Sequence, residues 1–209
     1  MKIVIVGAGN QGSIVADALA AAHEAGAAAY AIGFVDEQRE GTFAALPILG
    51  KTKDLDAIEH DAIVVAIGDN AVRRHVIGEL VARGETLAIA RHPFSFIAAT
   101  AIIEPGVMIS AGVIVTPNAR IGRGVLLNTK ASVDHDTIVG ECAHISSGAT
   151  IGARLQIGDE VLIGLGASVL SGCSVGARSI VGAGSMVVRD VPEDVVAFGN
   201  PARVKRALR

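Results

Sequence analysis

The sequence predicts two units in series, a Rossmann-like α/β domain followed by a parallel β-helix of hexapeptide repeats. Three observations carry this. Every sixth residue from Ile97 to Val187 is aliphatic, in unbroken phase through Ile121, Ile145 and Ile163. Four residues after most of these stands a small or β-branched side chain, as at Ala101, Ala119, Ala131 and Ala149, with Leu155 and Cys173 as departures. Ahead of the repeat, the apolar run at 3–6 leads straight into the glycine-rich stretch 7–12 and a helical pattern.

Residues 3–6 read as a buried strand, the stretch Gly7, Ala8, Gly9, Asn10, Gln11, Gly12 as a phosphate-type turn, and residues 13 to about 25 as a helix. Glycines there let backbone approach a phosphate, and free amides at a helix N-terminus complement its charge. A second strand at 30–35 ends on Asp36, placed where a carboxylate takes ribose hydroxyls in a dinucleotide fold. A tight βα turn that binds nothing is the other reading of the same glycines.

Residues 46–50 read as an edge strand or turn, and 51–60 as a polar crossing with helical character. A third strand at 63–67 is followed by Gly68, Asp69 and Asn70, at the carboxyl end where ligands lie in open α/β sheets. Arg73, one turn into the next helix (71–83), could meet a phosphate; Asp69 and Asn70 could equally serve as helix caps. A fourth strand at 86–90 ends this unit without a second nucleotide-binding half. One nucleotide, such as that of a sugar donor, therefore suits the site better than NAD. The predicted domains are 1–92 and 93–209, joined at Arg91, His92 and Pro93.

A repeat of six fits neither a helix nor a simple strand alternation, so it signals a solenoid. Three hexads make a triangular coil with the aliphatic residue inside. Gly122, Gly140, Gly158 and Gly176 follow the aliphatic position, where corners are expected to need unusual angles and close approach. No loop is extruded from the coils, so selection of the acceptor falls largely to the first unit. After Val188 the phase is lost, and Phe198 to Arg203 leads into a basic end, Lys205, Arg206 and Arg209, read as a solvated tail or as cations for phosphates.

Whole-chain numbers exclude several classes. A net charge of -3 and a pI near 6.1 leave no basic excess for nucleic acid. No apolar run approaches a membrane span, and the polar Asn10, Gln11 and Asp17 interrupt the opening as a signal peptide. Two cysteines, Cys142 and Cys173, are too few for a disulfide framework and suit a reducing, cytoplasmic setting.

Two histidines fall in the repeat, His135 and His144, both at outward places. His135 lies between Asp134 and Asp136, so a carboxylate can fix its tautomer and support it as a general base. Neither cysteine has an evident base beside it, which favours direct transfer over a covalent intermediate.

The hexads and the Gly-Asn-Pro-Ala-Arg ending at 199–203 resemble the hexapeptide-repeat acyltransferases. With the opening GxGxxG, the string at 66–70, Asn128, His135, Asp136 and His144, nearly the whole chain resembles the nucleotide-amino-sugar N-acetyltransferases of the PglD, PerB and NeuD type.

That resemblance implies a left-handed coil, a homotrimer, acetyl-coenzyme A as co-substrate and no metal. It makes His135 the base, Asp136 its orienter and Asn128 a further active-site residue. It sets His144, Gly164, Gly166, Gly182, Gly184, Pro201 and Arg203 toward the coenzyme. The acceptor is expected to be a UDP- or GDP-linked 4-amino sugar held by Gly7, Gly9, Asn10, Gln11, Gly12, Asp36, Gly68, Asp69, Asn70 and Arg73.

Two departures stand out: Gln11 where many relatives carry histidine, and Asp136 where many carry glutamate. A sugar O-acetyltransferase and a non-catalytic nucleotide-binding trimer are the competing readings. A γ-type carbonic anhydrase would need three zinc-binding histidines, and the repeat offers two.

Overall fold

The computed structural model describes residues 1–208; Arg209, part of the basic end, lies outside the described residues. The first unit is a five-stranded sheet of β1 (Lys2–Val6), β2 (Tyr30–Val35), β3 (Thr42–Phe43), β4 (Leu46–Gly50) and β5 (Ala62–Val65), in the order β3-β4-β2-β1-β5. All neighbours run parallel except β3, which folds back onto β4. Residues 46–50 are thus a strand inside the sheet, because Ile48 packs into the core on one face and Leu49 into that on the other.

Helix α1 (Asn10–Glu24) buries Val15, Ala16 and Leu19 against Ile3, Ile5 and Phe34. Helix α2 (Asn70–Ala82) buries Ile77 and Leu80 with Val4, Val6 and Ile63 on the opposite face. The crossing segment holds a short 3₁₀ turn, Thr52–Ala57. Gly12 is where α1 meets β1: a Cβ there would sit 2.2 Å from the Gly7 carbonyl oxygen, so only glycine lets the helix pack this closely.

The expected strand at 86–90 is cut short. Leu87 makes a single bridge to Ile63, and Ala90–Arg91 then leaves the sheet to become the first rung of the coil, paired with Met108–Ile109. The amides of Ala90 and His92 are taken by the Val107 and Ile109 carbonyls, which is why the chain cannot stay in the first sheet.

The second unit is a three-sided parallel β-helix with rungs of two residues, stacked into sheets of six, four and eight strands. In each coil rung the second residue points inward, as at Val115, Ile121, Val133, Ile145 and Ile163, all fully buried. The glycines that follow these residues serve close approach rather than unusual angles. A Cβ on Gly158 would lie 2.5 Å from the Ala177 amide nitrogen of the next coil. Left-handed angles fall two residues further on, at Gly148, Gly166 and Gly184, and also at Asn118 and Asp136, types that tolerate them.

The end of the chain is not a free tail. Val195–Gly199 forms the next rung on Ile180–Val181, and Ala202–Ala207 turns back antiparallel to it. The two units share core: Met108 and Leu126 join the cluster under α1, and Cys142 joins that under α2. No helix among the described residues is long and apolar enough to cross a membrane.

Candidate active site

Residues of the glycine-rich turn and Asp36 meet in one cleft of about 600 Å³ with Arg39, Val72 and Glu79. Gly7 takes φ +102°, and Gly9 is the N-cap of α1, with no side chain capping the first-turn amides; Gly12 is buried against the Gly7 carbonyl, and Asn10 and Gln11 lie outside the lining of this cleft. Asp36 does not simply await a ribose. Its Oδ2 accepts the Ala8 amide at 2.8 Å, and its Oδ1 accepts those of Gln38 and Arg39 at 2.9 Å. Burial alone would raise its pKa, but the three amides outweigh burial and hold the carboxyl below its ordinary range. Asp36 therefore fixes the loop's shape.

The expected phosphate contact of Arg73 is corrected by the structure, whereas Gly68, Asp69 and Asn70 line a cleft of about 400 Å³ that also holds His144. Asp69 caps α2, accepting the Val72 amide at 2.9 Å. Arg73 is fully buried: Nε donates to the Gly124 carbonyl at 2.8 Å, one terminal nitrogen to the Ile67 carbonyl at 2.8 Å, the other to Cys142 and to Asn70 Oδ1. Asn70 in turn donates to the Glu160 carbonyl at 2.8 Å. Arg73 and Asn70 clamp the α/β unit to the coil corners and leave no donor for a ligand. A positively charged residue one turn into a helix looks the same in sequence whether it meets a phosphate or a neighbouring backbone. Gly68 stays open, with nothing near its Cβ position.

His135 sits at a coil corner after the rung Ser132–Val133, about four-tenths exposed. Its Nδ1 lies 2.8 Å from Asp136 Oδ2. Asp136 adopts φ +57°, and its other oxygen accepts from Asn118 Nδ2 at 3.0 Å. The hydrogen bond from His135, and then that from Asn118, lower the Asp136 pKa, so the carboxylate is ionised and Nδ1 carries the proton. Nε2 makes no hydrogen bond to the rest of the chain. The shorter aspartate still reaches the ring. Asp134, lowered by the His135 amide and the Thr116 hydroxyl, pins the His135 backbone from the other side. Asn118 and Thr116 were not singled out in the sequence. Each stands 18 residues before the carboxylate it touches, one coil earlier, which is the signal that finds them.

Asn128 lies at the preceding corner of the coil, so one chain does not bring it to His135. It pairs instead with His144: Asn128 Nδ2 and His144 Nε2 are 2.7 Å apart. Burial, and then the Arg73 charge, push the His144 pKa down to about 4, against a hydrogen bond to the Gly68 backbone. The ring is neutral at Nε2 and accepts from the Asn128 amide, which orients the Asn128 oxygen outward.

An unfolded chain protonates this ring below about 6.5, the folded chain only near 4. The stability contributed by neutral His144 is therefore complete above 6.5 and is lost as pH falls from 6.5 toward 4, on the order of 3 kcal/mol. Nitrogen-15 titration of the ring should show a midpoint near 4; a midpoint above 6 would contradict the geometry.

Gly164 and Gly182 are closed by stacking, their Cβ positions 2.6 Å from the Ala183 nitrogen and 2.7 Å from Phe198 Cβ. Gly166 and Gly184 take left-handed corner angles with open space beside them. Pro201 occupies the turn of the terminal hairpin, and Arg203 is exposed on its second strand. Burial pushes the Cys142 thiol up, so it is no ready nucleophile.

Comparison with known proteins fits this geometry. Residues 2–80 match the PglD N-terminal domain. A histidine-to-asparagine variant of perosamine N-acetyltransferase from Caulobacter crescentus, in complex with coenzyme A and GDP-perosamine, is 31% identical with a TM-score of 0.93. That match covers 99% of this chain and 97% of that one. The acetyltransferase domain of PglB from Neisseria gonorrhoeae is 33% identical with a TM-score of 0.91, covering 98% and 99%. Galactoside O-acetyltransferase from Lactococcus lactis is 57% identical, but only over 30 residues, 14% of each chain.

A triangular coil of hexads with a nucleotide-type α/β unit against its first turns defines an acyltransferase of the hexapeptide-repeat class, with a left-handed β-helix. The chain belongs to the nucleotide-amino-sugar N-acetyltransferases within that class.

Proposed function

We propose that this chain transfers acetyl from acetyl-coenzyme A to the amine of a nucleotide-linked 4-amino sugar, with His135 as general base. The observation that carries this is the His135 ring, held through Nδ1 by ionised Asp136 so that Nε2 is free to take a proton. His135 Nε2 accepts the amine proton as the sugar nitrogen attacks the thioester carbon. The C–N bond forms, the C–S bond breaks, and the proton passes on to the departing thiolate. A backbone amide of the coil edge steadies the oxyanion between these steps.

The nucleotide is held at the free first-turn amides of α1, with its nucleoside in the cleft beside Asp36. The open corners at Gly166 and Gly184 and the exposed Arg203, Lys205 and Arg206 fit the pantetheine arm and phosphates of coenzyme A.

His135 and Asn128 occupy different corners, so the working site forms where two copies meet, in a homotrimer. Supporting this, Phe96 and Ile114 stand side by side on the sheet next to the His135 corner, 59% and 45% exposed, an apolar ladder suited to a second copy. The two buried, unpaired cysteines suit a cytoplasmic setting.

The test is thiol release from acetyl-coenzyme A across GDP-perosamine, UDP-linked 4-amino sugars and CMP-sialate. Release with an amino sugar, and an N-acetyl product by mass and NMR, is expected. Release with a hydroxyl acceptor alone would make the protein an O-acetyltransferase.

A further inference from the structure

A second cleft lies between α1 and the coil corners at 110–112 and 128–130, about 300 Å³ and lined by Ser13, Ile14, Asp17, His92, Ser110 and Thr129. That volume is at the lower end for small-molecule sites, which run from about 300 to 1,000 Å³. His92 is 8% exposed, and its Nδ1 accepts the Phe94 amide at 3.1 Å. The proton of the neutral ring is therefore on Nε2, and Nε2 has no hydrogen-bond partner within reach. The carboxylate that faces it is that of Asp17, Oδ2 at 4.0 Å, on the exposed face of α1. A donor and a carboxylate at that separation cannot bond directly. They can hold one hydroxyl between them, accepting it from one side and donating to it from the other.

The position of the cleft says what the hydroxyl belongs to. Ser13 stands in the first turn of α1, whose amides face the proposed diphosphate site, and Thr129 follows Asn128 on the acyl-transfer edge. The cleft therefore spans the stretch between diphosphate and acetyl group, which a pyranose ring must occupy. We infer that this cleft receives the amino-sugar ring, with His92 and Asp17 reading its hydroxyls as specificity-determining residues. This rests on the function proposed above. It also explains a buried histidine in what the sequence presents only as a linker.

The probe is GDP-perosamine, or a UDP-linked 4-amino sugar if wild type prefers it. Asp17→Ala, on an exposed helix face, should raise KM for the amino sugar about tenfold or more. It should leave KM for acetyl-coenzyme A, the Kd for the bare nucleoside diphosphate and the melting temperature unchanged. In wild type, the His92 Nε2 resonance should shift on adding the amino sugar and stay put with GDP or UDP alone.

If wild type acetylates the sugar while Asp17→Ala keeps KM within twofold and His92 does not respond, the cleft holds only water and this inference is wrong. If wild type acetylates none of the sugars, the proposed function fails, and the inference with it.

Discussion

His135→Ala should lower kcat for sugar acetylation by about 10²–10⁴-fold, the usual range for loss of a positioned general base, and leave both KM values within a few-fold. The asymmetry is the point. The His135 side chain is about four-tenths exposed and is anchored by Asp136 Oδ2 and its own backbone, so its removal should cost little stability or binding. Asp136→Asn should keep the shape but lose the charge that holds Nδ1–H, lowering kcat about 10–100-fold. Steady-state thiol release by the three proteins checks this. A His135→Ala variant within threefold of wild-type kcat would remove the base from the mechanism, and Asp136→Asn below His135→Ala would mean the carboxylate acts on its own.

The repeat was legible because its constraint is strictly local. Each inward residue meets the same space one coil later, so one aliphatic type every sixth residue suffices, and the outward places of His135 and His144 follow from phase alone. Where partners lie one coil apart, as Asn118 and Asp136 do, the same arithmetic reaches them. What it does not reach is contact between the two units. Arg73 and Asn70 carry residue types that suit a phosphate site, and only the approach of the Gly124 and Cys142 carbonyls turns them into a clamp. His92 failed for the same reason: its surroundings come from α1, far upstream, and from corners downstream. Likewise the terminal strands were hidden because rung residues at Val195–Gly199 leave the hexad phase while keeping the coil's hydrogen bonds.

The clamp yields the largest expected stability effect. Arg73→Met should destabilise the protein by about 4 kcal/mol, read as a melting temperature about 10 °C lower. Methionine fills much of the volume, so the loss comes from polarity rather than from a void. Burial has already drawn the guanidinium pKa down to about 10, yet it stays cationic because carbonyls converge on it from both units. Removing it leaves those carbonyls without donors in a dry junction, each costing on the order of 1–3 kcal/mol before relaxation. Arg73→Lys should recover only part of this. A single ammonium cannot reach Gly124, Ile67 and Cys142 together as a planar fork does.

A second readout separates the clamp from generic destabilisation. Burial, and after it the Arg73 charge, holds the His144 ring neutral, so in Arg73→Met the His144 midpoint should rise above about 4 but stay below its ordinary value. A variant that melts within 2 °C of wild type would show that the two units are held together by the apolar contacts of Met108, Leu126 and Cys142 instead, and a His144 midpoint unmoved from about 4 would show that burial alone keeps that ring neutral.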